Sequence, residues 1–248
     1  MSARFVFPVM GTVVSLTTPD AIPVGVQQEV AGAFHRYDAR FSLWRLGSEG
    51  DRVARRDLPL RDASPEFHDV YDQATRWRFL TGNAFRPRRP DGAIDLSGLV
   101  KALALDEAGK ALTDAGCEAW CLNAGGDILV SGDAPDGRPW HAGVVDPRDR
   151  QVLLSGLDLG EGTRALATSG TAERGEHVWR AGADHRFCQV SVSAPDIVTA
   201  DVWATAILAG GVTTLQHAAA QGGVDVLACG VNGEFWSTPA FRTVPPAA

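Results

Sequence analysis

The sequence predicts a mixed α+β fold in which sheets pack against helices. Two observations favour this class: several segments carry apolar residues at helical spacing, and between Gly132 and Pro195 short strand-like segments follow one another without helices between them. The 248 residues are 45% hydrophobic, which is enough for a large core. Because no linker, repeat or low-complexity segment interrupts the chain, we expect residues 1–248 to form a single domain.

Three helices are predicted before Gly132. The first covers VGVQQEVAGAFHRYDARF, which places apolar residues on one face. The second has Ser64 as N-cap, Pro65 at its first position and Gly82 at its end. The third begins near Leu96 or Ser97. It leads directly into the segment CEAWCLNAGGDILVSG.

Strand patterns occur in MGTVVSLTT, WHAGVVDP, QVLLSGLDL, RALATSG, RFCQVSVSAP and VDVLACG. A fourth helix is predicted in TADVWATAILAGG, with Thr199 as its N-cap and the two glycines as its end. The order of these segments, with several strands adjacent in the chain, favours α+β over a parallel α/β fold.

Charge and composition exclude some partners. The net charge of −7 and the isoelectric point near 5.3 argue against nucleic-acid binding, which needs a basic surface. The basic cluster RPRRP at residues 86–90 is either a solvated loop or a phosphate or partner site. No apolar run reaches the length of a membrane span and no signal peptide pattern is present, so we expect a cytoplasmic protein with four reduced, buried cysteines.

The segment NAGGD, residues 123–127, permits two interpretations. Adjacent glycines between strand patterns can supply the positive φ angles of a β-hairpin. They can also leave backbone N–H groups accessible to a planar or phosphorylated ligand, while Asn123 and Asp127 form hydrogen bonds with ring or ribose atoms.

Two helix starts carry groups suited to phosphate and metal binding. Asp201 and Thr205 lie four residues apart and share a helix face, and both are oxygen ligands that suit Mg²⁺. Asp95, the Gly98 carbonyl and Lys101 cluster at another helix start. Helix capping would also explain Asp95, and a favourable helix dipole would explain Asp201.

One histidine differs in its surroundings from the others. His177 follows LATSGTAERGE, a loop rich in Ser, Thr and Gly, where it could act as a general base or bind phosphate, or be an ordinary loop residue.

Six motifs in register resemble the ApbE family of FAD:protein FMN transferases. They are MGT, RFSLWRLGSE, DLSGLVKALALD, NAGGDI, LATSG followed by His177, and ADVWAT, in that order. The resemblance covers about residues 7–212 and implies an ApbE-like, T-fold-related α+β fold of mixed sheets and helices in a short version.

The resemblance implies a role for each motif. It places FAD against the glycine turn and gives Mg²⁺ to the Gly98 carbonyl, Asp201 and Thr205. It makes His177 or Asp201 the base that assists the acceptor hydroxyl. The implied FAD contacts are Met10, Trp44, Asp95, Lys101, Asn123, Gly125, Gly126, Asp127 and Ser169.

The implied reaction is the Mg²⁺-dependent transfer of the FMN phosphoryl group of FAD to a threonine hydroxyl of an acceptor flavoprotein, with release of AMP. The acceptor threonine would lie in a short motif of the type D-G-x-[ST]-[GSA]-[AST]. Two alternatives remain open: a Mg²⁺-dependent FAD pyrophosphatase that produces FMN and AMP, and a protein that binds FAD without catalysis.

Overall fold

The computed structural model describes residues 2–170 and 186–243. It has the α+β architecture that the sequence predicts. The elements in chain order are β1 (Ala3–Val9), β2 (Thr12–Thr18), α1 (Val24–Phe41), α2 (Glu49–Ala54), a 3₁₀ turn (Leu60–Asp62), α3 (Pro65–Leu80), α4 (Ser97–Asp114), β3 (Trp120–Ala124), β4 (Asp127–Ser131), β5 (Trp140–Val145), β6 (Leu153–Leu159), β7 (Ala165–Gly170), β8 (Phe187–Ala194), α5 (Ile197–Gln221), β9 (Asp225–Gly230), β10 (Phe235–Ser237) and β11 (Arg242–Thr243).

Two antiparallel sheets form the scaffold. The large sheet has the strand order β1-β2-β3-β4-β7-β8-β9-β10, and the small sheet has the order β11-β6-β5. Side chains alternate between the two faces of the large sheet. In β4, Leu129 packs with residues of α1 and α4, whereas Val130 packs with residues of the small sheet. The helices therefore cover one face and the small sheet covers part of the other.

The predicted caps of the early helices are confirmed. Ser64 is the N-cap of α3, and its hydroxyl accepts a hydrogen bond of 3.2 Å from the Phe67 N–H. Pro65 occupies the first position of the helix, and Gly82 follows it with a φ of 61°. Helix α4 begins at Ser97, as expected.

The prediction for α5 was wrong at both ends. The N-cap is Asp196, whose carboxylate accepts a 2.8 Å hydrogen bond from the N–H of Thr199, so Thr199 lies inside the first turn. The two glycines do not end the helix. Gly211 takes a φ of 67° and kinks it, and the helix continues to Gln221 because residues beyond the kink, such as Ala218, are buried in the core.

The N-terminal strand prediction was incomplete. Residues that were expected to form one strand from Met10 belong instead to a β-hairpin whose first strand begins at Ala3. Met10 and Gly11 form its two-residue turn, with φ angles of 52° and 68°. Positive φ at both positions matches the twist of the flanking strands, so the chain reverses here.

Helix α5 is long and apolar enough to cross a membrane by length and composition alone. In the fold, 67% of its most apolar window is buried, and it packs against β7 and β8. A buried core helix passes the same test of hydropathy, so this property does not establish a membrane span.

The cysteines and the basic cluster take structural roles. All four cysteines are free thiols; Cys229 is buried and the other three are partly buried. Burial raises the pKa of Cys121 to about 11 and the pKa of Cys229 to about 12, so both stay protonated at neutral pH. In the basic cluster, exposed Arg88 bonds the Tyr71 hydroxyl at 3.1 Å, which fits a solvated loop.

Two hairpin turns and the end of a strand meet at one end of the large sheet. Strand β2 pairs with β3 so that Ser15 lies opposite Asn123, which brings the Met10–Gly11 turn beside the Gly125–Gly126 turn. Strand β7 runs antiparallel to β4 and ends at Gly170 on the same side. The fold thus gathers several of the sequence motifs at this end.

We expect Asp196→Ala to lower the free energy of unfolding by about 1 kcal/mol, because it removes the side-chain acceptor that caps α5. Asp196→Asn is the matched control, since asparagine also caps helices. Urea unfolding of both variants measures the difference, and an unchanged stability of Asp196→Ala would contradict the importance of this cap.

Candidate active site

Two adjoining cavities lie at the end of the sheet where the turns meet. The first has a volume of about 610 Å³ and the second about 970 Å³, and both are bordered by Trp44, Ser97 and Lys101. Volumes of this size suit a small-molecule ligand. Ten of the candidate residues line these cavities: Met10, Trp44, Gly98, Lys101, Asn123, Gly125, Gly126, Ser169, Asp201 and Thr205.

The glycine turn is a two-residue β-hairpin turn. Gly125 and Gly126 have φ angles of 63° and 99°, and the Asn123 Oδ1 accepts a 3.0 Å hydrogen bond from the N–H of Gly126. A Cβ on Gly125 would clash with the Thr12 hydroxyl, whereas one on Gly126 would meet no described atom within 4 Å. The hairpin interpretation therefore holds, and it leaves Gly126 facing the second cavity.

Asp127 lies behind this turn and away from the cavity surface. Its side chain is 0% exposed, and its Oδ2 is 2.5 Å from the Lys101 Nζ. Its Oδ1 accepts a 3.1 Å hydrogen bond from the N–H of Thr168. The expectation that the Asp127 side chain contacts the ligand does not match this burial, because Lys101 reaches the cavity in its place.

Helix α5 brings a carboxylate and a hydroxyl to the cavity wall. Asp201 and Thr205 both line the second cavity, as their spacing predicts, and Asp201 is 4% exposed. The Ser169 and Thr205 hydroxyls are 3.1 Å apart. A Cβ on Gly98 would lie 3.7 Å from the Thr205 Cγ2, so the start of α4 is adjacent to this part of α5.

This donor set is compatible with Mg²⁺. One carboxylate, two hydroxyls and the backbone of Gly98 are hard oxygen ligands, and Mg²⁺ commonly binds through one or two carboxylates together with substrate phosphates and water. Among the described residues, no group of three or more His, Cys, Asp or Glu side chains forms a metal cage. The wall therefore fits an ion shared with a phosphorylated ligand better than a closed structural metal site.

Asp95 is not among the residues that line the cavities. Its carboxylate accepts hydrogen bonds from the N–H and hydroxyl of Ser97, at 3.0 and 2.6 Å, so it satisfies the first N–H of α4 from the residue before the N-cap, Leu96. His177 lies in the segment 171–185, outside the described residues.

Sequence reasoning missed a polar wall of the second cavity between β5 and β6. The segment DPRDR at residues 146–150 contributes Asp146, Arg148 and Arg150, and Arg4 lines the same cavity. Arg148 holds the Asp146 carboxylate at 3.1 and 3.2 Å, which lowers the pKa of Asp146 and raises that of Arg148. The signal in the sequence that could have indicated this wall is the group of opposite charges in DPRDR, at the end of a predicted strand.

Comparison with known proteins identifies the family. The model of the ApbE family matches residues 86–228, which is more than half of the chain and includes the glycine turn, Lys101 and Asp201. The chain belongs to the ApbE family. The resemblance to this family that the sequence predicted is thereby confirmed.

Curated relatives of this ApbE-family chain carry one name. A protein of Rhodobacter capsulatus is 34% identical over 177 residues, covering 66% of this chain and 33% of the relative. One of Klebsiella pneumoniae (strain 342) is 27% identical, covering 62% of this chain and 48% of the relative. Both are named FAD:protein FMN transferase. This chain thus matches between a third and a half of the length of these relatives.

Solved structures support the fold. The flavin transferase ApbE from Vibrio cholerae superposes with a TM-score of 0.76 at 19% identity, covering 97% of this chain and 98% of the other. The ApbE protein of Thermotoga maritima gives a TM-score of 0.80 at 20% identity, covering 96% and 97%. The ApbE-family architecture therefore extends over nearly the whole chain.

We expect Gly125→Ala to destabilise the ApbE-family fold by about 1–3 kcal/mol, because it combines a positive φ with a clash against Thr12. Gly126→Ala also has a positive φ but no clash, so its loss is smaller. Adding Thr12→Ala to Gly125→Ala removes the clashing hydroxyl and recovers part of the loss. Thermal unfolding of the three variants tests this order, and equal losses for both glycines would contradict the packing described here.

Proposed function

We propose that this chain is a FAD:protein FMN transferase. It transfers the FMN phosphoryl group of FAD to a threonine hydroxyl of an acceptor flavoprotein and releases AMP, with Mg²⁺ as cofactor. The observation that carries the proposal is the arrangement around the second cavity. There a lysine, a carboxylate with two hydroxyls and an open glycine turn face the same space. The names of the relatives support the same reaction.

The two cavities offer complementary surroundings for the parts of FAD. The first contains the apolar side chains of Met10, Phe41, Trp44 and Val100, which suit a flat aromatic ring. The second contains Lys101 and the hydroxyl groups, which suit the pyrophosphate. Because Trp44 borders both and is 79% exposed, it can contact a ligand that extends from one into the other.

Asp201, Thr205 and the Gly98 carbonyl would hold the metal ion. When bound, Mg²⁺ would neutralise charge on the pyrophosphate oxygens. The chain has a net charge of −7, so a dianionic ligand needs local positive charge to bind. Lys101 supplies part of that positive charge directly. Asp201 contributes indirectly, because it would hold the Mg²⁺ ion.

The proposed step balances as a phosphoryl transfer. The acceptor threonine oxygen bonds to the FMN phosphorus, and the P–O bond to the AMP phosphate breaks, so that AMP leaves. The hydroxyl proton passes to a base, for which we propose His177, with Asp201 as the other candidate. The described residues contribute mainly by positioning the pyrophosphate between Lys101 and the oxygen ligands.

One assay tests transfer against hydrolysis and simple binding. The chain is incubated with FAD, Mg²⁺ and an acceptor protein that carries the flavinylation motif, with a threonine-to-alanine acceptor as control. We expect AMP release together with flavin fluorescence on the acceptor band of a denaturing gel. AMP release without labelling of the acceptor would identify a pyrophosphatase. The absence of both products would identify a protein that only binds FAD.

The metal role predicts a specific effect of Asp201→Asn. The substitution keeps the shape of the side chain and removes the anionic ligand, so AMP release should require much higher Mg²⁺ concentrations or vanish. Asp196→Asn, an exposed aspartate just before the same helix, is the matched control and should leave the Mg²⁺ dependence unchanged. An unaltered Mg²⁺ titration for Asp201→Asn would remove Asp201 from the metal site.

The base role predicts a different pattern for His177→Asn. FAD binding should persist, while AMP release and acceptor labelling should slow together by about 10²–10⁴-fold. Single-turnover kinetics measure both products. If AMP release continues while labelling fails, His177 serves the acceptor instead, and if neither changes, the base lies elsewhere.

A further inference from the structure

We propose that Asp127 is a positioning residue that holds the ammonium group of Lys101 at the pyrophosphate and joins it to strand β7. Asp127 acts through Lys101 and does not itself contact FAD. The role assigned to Lys101 depends on the proposed function, whereas the structural coupling between the two side chains does not.

The two oxygens of Asp127 have separate partners on separate elements. The Oδ2 lies 2.5 Å from the Lys101 Nζ on α4, and the Oδ1 accepts the 3.1 Å hydrogen bond from the Thr168 N–H on β7. Asp127 itself is the first residue of β4 and pairs with Ala124 across the glycine turn. One carboxylate thus joins the turn, the start of α4 and the end of β7.

The two side chains of this pair differ in their exposure to the cavities. The Asp127 side chain is 0% exposed, and the Lys101 side chain is 16% exposed at the border of both cavities. A buried carboxylate is costly unless it is paired and hydrogen-bonded, so the pair fixes Lys101 as well as Asp127. A lysine has a flexible four-carbon stem, so a buried carboxylate against its ammonium group restricts the positions that its charge can take.

The link to β7 relates Lys101 to the proposed metal ligands. The β4–β7 ladder includes Ile128 opposite Leu166, and the Asp127 carboxylate extends the contact by accepting the Thr168 N–H. The hydroxyl oxygen of the next residue, Ser169, lies 3.1 Å from the hydroxyl oxygen of Thr205. Asp127 therefore connects the cation on α4, through β7, to the hydroxyls of Ser169 and Thr205.

A double-mutant cycle tests the coupling. The variants are Asp127→Asn, Lys101→Met and the double substitution, and the dissociation constant of FAD is measured by the quenching of flavin fluorescence. We expect each single variant to weaken FAD binding on the order of tenfold or more. Lys101→Met removes the charge-assisted contact with the pyrophosphate, and Asp127→Asn weakens the same contact because it no longer holds the Lys101 ammonium group in place. The double variant should then bind no worse than Lys101→Met alone.

Two companion variants separate positioning from general stability. Asp106→Asn is the matched control, because it removes the carboxylate of another Asp–Lys pair on α4, with Lys110 at 2.6 Å. It should leave FAD affinity unchanged. Asp127→Glu restores the charge and should recover part of the affinity that Asp127→Asn loses. If only the shape of the side chain mattered, the longer glutamate would not recover affinity.

A second measurement does not need FAD. Labelling of Lys101 by an amine-reactive anhydride, followed by peptide mass spectrometry, should be several-fold faster in Asp127→Asn than in the unaltered chain and unchanged in Asp106→Asn. If the unaltered chain binds no FAD, the proposed function fails while this measurement still tests the pair. If Asp127→Asn does not fold, the same labelling is made on Asp127→Glu, where a smaller acceleration is expected because the longer side chain restores the charge but not the same position of the carboxylate.

Additive losses of FAD affinity in the double variant would overturn the proposal, because they would mean that Asp127 contacts FAD or acts independently of Lys101. An unchanged labelling rate in a folded Asp127 variant would overturn it as well.

Discussion

The pairing of β2 with β3 is the constraint on which the site depends. Because Ser15 lies opposite Asn123, two hairpin turns with positive φ angles come to the same end of the large sheet, and Gly125 packs directly against Thr12. Neither turn alone encloses a ligand. Their adjacency, together with the start of α4 and the end of β7, creates the cavity that Lys101 and Asp201 line.

Two cations at this end of the sheet are paired with carboxylates. Lys101 is paired with buried Asp127, and Arg148 is held by Asp146, so the carboxylates fix the orientation of these two cations. Asp201 and Thr205, from α5, line the same cavity as Lys101. An acidic chain can bind a pyrophosphate only where such local positive charge outweighs its overall field. The geometry supports a phosphoryl transfer that relies on positioning.

Local signals in the sequence predicted much of this arrangement, and tertiary packing decided the rest. The i, i+4 spacing of Asp201 and Thr205 placed both on the cavity wall, and Ser64 capped α3, because helix periodicity and capping act over a few residues. The burial of Asp127 could not be predicted, since its partners Lys101 and Thr168 come from distant elements. The continuation of α5 past Gly211 was missed for the same reason: burial of Ala218 outweighs the local preference of glycine to end a helix.

A crystal structure of the chain with FAD and Mg²⁺ tests the central claim most directly. We expect the pyrophosphate between the Lys101 ammonium group and the Asp201 and Thr205 oxygens, with FAD passing the backbone of Gly126. We also expect Asp127 to remain buried against Lys101. Density for FAD at any other surface, or a pyrophosphate that contacts neither Lys101 nor a cation on Asp201, would contradict this assignment of the site.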